Sequence, residues 1–356
     1  MKPSRTTAVV IGRMQLLHWA HCHLIQSAFK IADQVVIAIG SSWRSRNPKN
    51  PLTFLERKEM ILRTLSPEQQ SRVRFVGVRD VYDSPRWVSM VRTRVEAHCE
   101  PGEQITLVGH SKDASSSYLA QFPGWGYIDA GSPLAVDSTA LRDILFGRGL
   151  APAAAFAEMA PFMHDGILDY LASWTRDPVY AERCAEHMAN EAYKKKYPGP
   201  VYKTGDAIIE AAGHVLMGER GGALGFGTLA FLGGHTEDGE SGVDTAIREA
   251  FEESTLAKFL TPEQLRASIV GQREFNAPGR SPRGRIETTA CYFKLEGYTR
   301  DTLPQLFGRD DVKPKPLLWL SHSDFSANMH RMFDDHDCIG EGLFGAMHPL
   351  VELQAT

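Results

Sequence analysis

The chain is 356 residues long, 43% hydrophobic and 23% charged, with a formal net charge of -4. That length accommodates two domains with a connector, and that balance excludes wholesale disorder. The slightly acidic charge excludes a global basic field of the kind that binds nucleic acid.

Thr7 to Ile11 is a β-branched run that predicts a strand, turned at Gly12 and followed by a helical pattern from His18 to Ile31. Val35 to Ile39 reads as a second buried strand. Strand, helix, strand at this spacing is a βαβ unit and requires a parallel sheet. The alternation continues with helices over Glu56–Leu65 and Trp87–His98 and strands over Val73–Val78 and Ile105–Val108. The first domain, 1–150, is therefore expected to be an open, doubly wound Rossmann-like sheet, with ligands at the carboxyl ends of its strands. From Pro152 to Tyr193 the strand signals vanish, and a helical linker is expected over 151–199. Within it, Lys194-Lys195-Lys196, flanked by Tyr193 and Tyr197, reads as a solvated face. Pro198-Gly199-Pro200 punctuates the boundary. Beyond it, 200–356 shows strands at Ala207–Ala211, His214–Met217 and Thr288–Leu295 around one strong helix, Asp244–Ala257, predicting a mixed α/β sandwich.

The five cysteines are scattered, with no CxxC or zinc spacing, as expected of reduced thiols. Arg5 and Arg13 bracket an apolar stretch too short for a signal peptide, and no apolar run reaches the ~18 residues of a membrane span. A soluble cytoplasmic protein without membrane or nucleic-acid partners is the expectation.

His18 and His21 lie one helical turn apart where the first helix begins. Free N–H groups at a helix N-terminus favour phosphate, and two imidazoles there add donors. Zinc is a rival ligand, although no third ligand lies at a useful spacing; two core or surface histidines are the plain alternative. Gly12 to His21 resembles the G-x-x-x-P-x-H-x-G-H motif of nicotinamide mononucleotide adenylyltransferases, with Leu16 for the proline and Ala20 for the glycine. Asn50 to Arg57 and Val136 to Arg142 resemble later segments of that family in the expected order, Asp137 standing where serine is usual. The resemblance implies that ATP and nicotinamide mononucleotide give NAD and pyrophosphate. His18, His21 and Arg142 would hold the triphosphate, with Ser138 and Thr139 donating to it and Gly12 and Arg13 beside the phosphates. Asp80 and Trp87 would recognise the nicotinamide nucleotide. A core tryptophan is the competing reading of Trp87.

The sharpest signal lies more than 200 residues further on. Glu249, Glu252 and Glu253 share one helix face, with Glu240 just before that helix and Arg248 able to hold a glutamate as a bidentate pair. Ser241 stands where it could cap the helix, with Asp244 as its partner. Like charges so close require a cation, and a hard divalent ion such as Mg²⁺ or Mn²⁺ suits carboxylate oxygens. The alternative is a solvated acidic face. Gly234, Glu240, Arg248, Glu249, Glu252, Glu253 and Leu256 resemble the Nudix hydrolase signature G-x5-E-x7-R-E-U-x-E-E-x-G-U, in which U is aliphatic, with Thr255 at its second glycine. The resemblance implies metal-activated hydrolysis of a nucleoside diphosphate. Glu249, Glu252 and Glu253 would be the metal ligands, Glu240 would assist and Arg248 would orient. Phe275 to Arg285 resembles the segment of Nudix domains that handle ADP-ribose, which makes Arg283 and Arg285 candidate ligand contacts; an unassigned surface loop is the competing reading. Glu341 is a candidate water-activating base. Gly225-Phe226-Gly227 imitates a dinucleotide fingerprint but leads toward Gly233-Gly234 and not into a helix.

Together the two resemblances imply a bifunctional enzyme that makes NAD and hydrolyses ADP-ribose to AMP and ribose 5-phosphate. The alternatives are a second domain that senses ADP-ribose or one that cuts a different nucleoside diphosphate derivative. Nudix domains of this type are often dimers, so the resemblance admits a homodimer, although the sequence by itself does not give the oligomeric state.

Overall fold

This computed structural model describes residues 5–111, 120–132, 137–147 and 152–345. The chain divides into two compact units, one up to Ala185 and one from Glu186 onward. The stretch expected as a linker over 151–199 is divided by that boundary.

In the first unit, strands β1 (Thr6–Gly12), β2 (Gln34–Ile39), β3 (Val73–Gly77), β4 (Gln104–Gly109) and β5 (Gly126–Asp129) form one sheet in the order β3-β2-β1-β4-β5. Every pairing is parallel. Side chains alternate across the sheet, and both faces are apolar. Ala8, Val10, Val35, Ile37 and Ile39 face one core with helix α1 (Trp19–Ile31). Val9, Val36, Ala38 and Leu107 face a second core, closed by Val88, Val91 and Val95. Those valines belong to α4 (Ser84–Glu96), which follows α2 (Phe54–Leu62) and the short α3 (Pro67–Arg72). Each buried Val or Ile contributes about 1.5–3 kcal/mol, so the all-buried β2 anchors the sheet. Helices α5 (Ser138–Gly147), α6 (Pro152–Met159) and α7 (Asp165–Trp174) extend the first core through Leu141, Leu145, Met159, Ile167 and Leu171. Strand order reverses between β1 and β4, and the crevice at their carboxyl ends is where such sheets bind ligands.

α8 (Pro178–Lys196) precedes the second unit's sheet, built on β6 (Tyr202–Ala211) and β7 (His214–Glu219). β8 (Leu229–Ala230) pairs with β7, and β9 (Leu232–His235) with β6. β10 (Ile269–Phe275), β11 (Ile286–Leu295) and β12 (Leu318–Ser321) complete the order β10-β11-β6-β7-β12. β6 and β11 run parallel along their whole ten-residue lengths, while the other pairings are antiparallel. Helix α9 (Gly242–Glu252) and α10 (Pro262–Ala267) cover one face through Ala246, Ile247, Ala250 and Leu265. On the other face lie α11 (His322–Ala327) and α12 (His336–Gly340), where Phe231 stacks on Phe325. The result is the expected α/β/α sandwich. Gly205 lets α9 approach: a Cβ there would lie 2.4 Å from the Gly242 carbonyl oxygen.

Two expectations change. The helix expected over Asp244–Ala257 ends at Glu252, because Arg309 N–H and Phe307 C=O capture the backbone of Glu253 and Thr255. Strands β5, β8, β9, β10 and β12 carry no strong sequence signal: β5 is exposed throughout, β10 is mostly exposed, and β8 and β9 are short. Gly225-Phe226-Gly227 leads into β8, not into a helix. Among the described residues no helix is long and apolar enough to cross a membrane.

Candidate active sites

The first site grows from the carboxyl end of β1. The backbone after Gly12 is tightly wound, with Met14 at φ 52° and Leu16 at φ 53°. Proline could not adopt that angle, so Leu16 is compatible with a turn that excludes proline. His18 stands at the N-cap position of α1 without a side-chain capping bond and is 5% exposed; its ring lies 4.0 Å from that of His21. Burial, helped by His18 and Arg13, holds the His21 imidazole well below its usual range. Its Nδ1 is buried without a hydrogen-bond partner.

Two residues that the sequence reasoning assigned no role hold this loop. Gln15 Nε2 donates to Leu52 O at 3.0 Å, and Leu52 N–H donates back to Gln15 Oε1 at 3.1 Å. Arg57, 1% exposed, donates to the carbonyls of Arg13 and Gly40 at 2.6 Å, Thr53 at 3.1 Å and Ser41 at 3.3 Å. It thereby ties the loops after β1 and β2 together. Arg57 was visible at the end of the Asn50–Arg57 segment, but its partners reach as far as 44 residues back along the chain.

Arg142, on α5, is 6% exposed; burial pushes its guanidinium down to about 10. Nη2 donates to Thr139 Oγ1 at 3.0 Å, while Nη1 is buried without a partner. Asp137 caps α5, accepting from the N–H groups of Thr139 and Ala140 at 2.7 and 2.9 Å. Ser138 opens the helix; Val136 lies outside the described residues. Asp80 accepts from Ser41 Oγ at 2.8 Å and pairs with Arg44 at 2.9 Å, below the carboxyl end of β2. Trp87 is partly buried on α4, edge-on to Phe122 at 6.2 Å, with its body against the second core. Arg13 is exposed at the mouth of the crevice.

The second site is organised by α9. Ser241 and Asp244 form the expected capping box. Arg248 is a hub: Nε and Nη2 donate to the two carboxylate oxygens of Glu240 at 2.9 and 3.0 Å, and Nη1 donates to Glu249 at 2.7 Å and Glu252 at 2.8 Å. This holds Glu240 down to about 2. Glu253 is 3% exposed and accepts from Gly233 N–H at 2.9 Å; burial pushes its carboxyl up to about 8. Burial also raises Glu249. Glu249 lies directly over β9, since a Cβ on Gly234 would sit 2.3 Å from Glu249 Oε1. Among the described residues no three acidic, histidine or cysteine side chains form a ready metal cage. Glu252 is half-exposed and turned to Arg248. The buried Glu253 and the partly buried Glu249, both held against their charged forms, are nevertheless a hard-oxygen donor set that suits a divalent cation. Thr255, at the signature's second glycine, has φ −87° and needs no glycine.

Beside these acids lies a cavity of about 560 Å³. Arg283 lines it, held by Ser281 and Asp334. Arg280 also lines it, in a buried pair with Asp335 at 2.7 Å. Arg285 is not brought there: it pairs with Glu287 at 3.0 Å on the surface. Tyr193 and Tyr197, expected to flank a solvated face, line the cavity with Lys196. His336 also lines it, its Nδ1 accepting from Phe231 N–H at 3.0 Å. Glu341 is 4% exposed, in the turn after α12.

Residues 204–337 match the NUDIX domain family, and residues 9–76 match the cytidylyltransferase-like family. The chain is 35% identical over 185 residues to a nicotinamide/nicotinic acid mononucleotide adenylyltransferase of Acinetobacter baylyi, spanning 52% of this chain and 94% of the relative. It is 31% identical over 104 residues to a nicotinamide-nucleotide adenylyltransferase of Pyrococcus furiosus, of which it spans 53%. Its structure superimposes with a TM-score of 0.85 and 29% identity on a bifunctional NMN adenylyltransferase/ADP ribose pyrophosphatase of Francisella tularensis, solved with AMP and a manganese ion, covering 96% of this chain and 99% of that one. With 94% of that Acinetobacter relative covered at 35% identity and residues 204–337 matching the second family model, the chain belongs to the nicotinamide/nicotinic acid mononucleotide adenylyltransferases and carries a NUDIX domain.

Proposed function

We propose that this chain makes NAD from ATP and nicotinamide mononucleotide in its first unit and hydrolyses ADP-ribose to AMP and ribose 5-phosphate in its second. The observation that carries the reading is the likeness along 96% of the chain to one protein with both activities. In the first reaction a phosphate oxygen of the mononucleotide attacks the α-phosphorus of ATP, and the bond to the leaving pyrophosphate breaks. Such chemistry is mostly alignment and charge neutralisation. His18, His21 and Arg142 hold the triphosphate; the unpartnered Nδ1 of His21 and Nη1 of Arg142 support this, since buried polar atoms need partners. Ser138, Thr139, Gly12 and Arg13 add phosphate contacts, and Asp80 and Trp87 bind the nicotinamide nucleotide.

In the second reaction water attacks the pyrophosphate of ADP-ribose, breaking one P–O bond. Glu249, Glu252 and Glu253 are the residues that would hold Mg²⁺ or Mn²⁺. When bound, that ion supplies Lewis acidity and lowers the pKa of water. Glu240 fixes Arg248, and Arg248 restrains the acids. Arg283 meets the phosphates. A cytoplasmic homodimer is the expected working form.

Separate assays on the intact protein with Mg²⁺ test this. His18→Ala abolishes NAD synthesis and spares hydrolysis, while Glu253→Gln does the reverse. Finding neither activity in the wild type overturns the reading.

A further inference from the structure

Phe146, Trp174 and Tyr180 come from α5, the end of α7 and the start of α8, and their ring centroids lie 5.8, 6.1 and 6.4 Å apart. Phe146 is 1% exposed and Trp174 6%. Phenylalanine at all three positions would fill the same space. Two polar atoms distinguish this cluster from a plain core, and each reaches a different helix of the first unit.

The indole N–H of Trp174 donates to Glu56 Oε1 at 3.1 Å. Glu56 closes the capping box of α2: Oε2 accepts from Thr53 N–H at 2.6 Å, and Thr53 Oγ1 accepts from Glu56 N–H at 3.3 Å. Oε1 also accepts from Arg46 Nη1 at 3.0 Å, and Arg183 of α8 donates to the Arg46 carbonyl. The residues around that cap hold the crevice. Leu52 is bonded to Gln15 in the β1 loop, and the Thr53 carbonyl accepts from Arg57, the clamp on the β1 and β2 loops. In the other direction, the Tyr180 hydroxyl donates to Leu145 O at 2.9 Å. That carbonyl is among the last four of α5, which lack a partner within the helix. It lies about one turn after Arg142, and Phe146 shares the Arg142 face of the helix.

We infer that Trp174 and Tyr180 are positioning residues for adenylyl transfer. They fix α5, which carries Arg142, against the cap of α2, which carries the clamp on the loop leading to His18, so that both halves of the triphosphate cradle keep one spacing. This rests on the reading that His18, His21 and Arg142 hold the triphosphate of ATP. The two residues act through Glu56 and the Leu145 carbonyl, not through contact with the reacting atoms. Their loss therefore acts on alignment, which this chemistry depends on.

The test is steady-state NAD synthesis by the full-length protein, with ADP-ribose hydrolysis and thermal unfolding measured on the same samples. Trp174→Phe and Tyr180→Phe keep the rings and remove only the two donors. The expected result for each is kcat down about 10-fold, less than a full 1 Å misplacement brings, with kcat/KM for ATP falling by the same factor. The Tm falls by less than about 5 °C, as for one lost hydrogen bond. In a Glu56→Ala background, Trp174→Phe changes kcat by less than about 2-fold because its acceptor is gone, whereas Tyr180→Phe still lowers it. Hydrolysis of ADP-ribose is retained throughout. Unchanged kcat in either phenylalanine variant, a parallel loss of hydrolysis, or a full effect of Trp174→Phe without Glu56 overturns the assignment. Wild-type protein that makes no NAD overturns the reading of the triphosphate site itself, a result distinct from synthesis that ignores the two donors.

Discussion

Replacing Arg57 with methionine removes the clamp between the β1 and β2 loops while keeping its apolar stem. Arg57 makes four hydrogen bonds to carbonyls, none to a carboxylate. At about 1.5 kcal/mol each, the low end for charged donors, they contribute about 6 kcal/mol. Against this stands the cost of burying the guanidinium, whose pKa falls from 12.5 to about 10. That shift corresponds to about 3.5 kcal/mol. Arg57→Met should therefore destabilise the first unit by about 2–3 kcal/mol, lowering its Tm by about 5–10 °C. Arg57→Lys keeps the charge but not the planar fork, and should recover about half. The functional loss should be larger than the stability loss, because the Arg13 carbonyl sits in the loop that leads to His18. Misplacement of that loop by about 1 Å costs about 100-fold in rate. Calorimetric unfolding of the full chain, with NAD synthesis and ADP-ribose hydrolysis measured on the same sample, checks this. Full synthetic activity in Arg57→Met with less than about 1 kcal/mol of destabilisation would refute the clamp.

Gly234→Ala puts a Cβ 2.3 Å from Glu249 Oε1, so the acid must move; hydrolysis should fall by about 100-fold with NAD synthesis intact, read from the two assays. Chelation with EDTA should abolish hydrolysis, and added Mn²⁺ or Mg²⁺ should restore it; hydrolysis that survives exhaustive dialysis against chelator contradicts the assigned acids. His21 has a folded pKa well below its ordinary 6.5. The unfolded chain therefore binds the extra proton first, and stability of the first unit is full above about pH 6.5 and declines as pH falls toward the folded value; urea titrations between pH 7.5 and 5 should show this, with a flatter profile in His21→Gln. Arg285→Ala, which removes only a surface pair with Glu287, should leave the KM for ADP-ribose unchanged, whereas Arg283→Ala should raise it about 10-fold or more; equal effects would contradict the division between them.

Period and spacing determined much of this protein before any contact was known. The β-branched runs at Thr7–Ile11 and Val35–Ile39 read as interior parallel strands, as they are, and helical spacing directs Glu249 and Glu253 toward one face, whereas the helix itself ends at Glu252, whose side chain turns to Arg248. Edge strands such as β5 and β10 left little trace, because an exposed strand needs no alternating apolar pattern. Tertiary structure alone decided that Arg248 would gather Glu240, Glu249 and Glu252, and that Glu253 would be buried on Gly233. It alone brought Arg57 to carbonyls from two separate loops, sent Arg283 into the cavity and Arg285 out of it, and turned Tyr193 and Tyr197 from an expected solvated flank into cavity lining. The physical reason is range: local sequence fixes backbone periodicity within a few residues, whereas the partner of a long polar or aromatic side chain is set by whichever distant segment the packed sheet brings within a few ångströms.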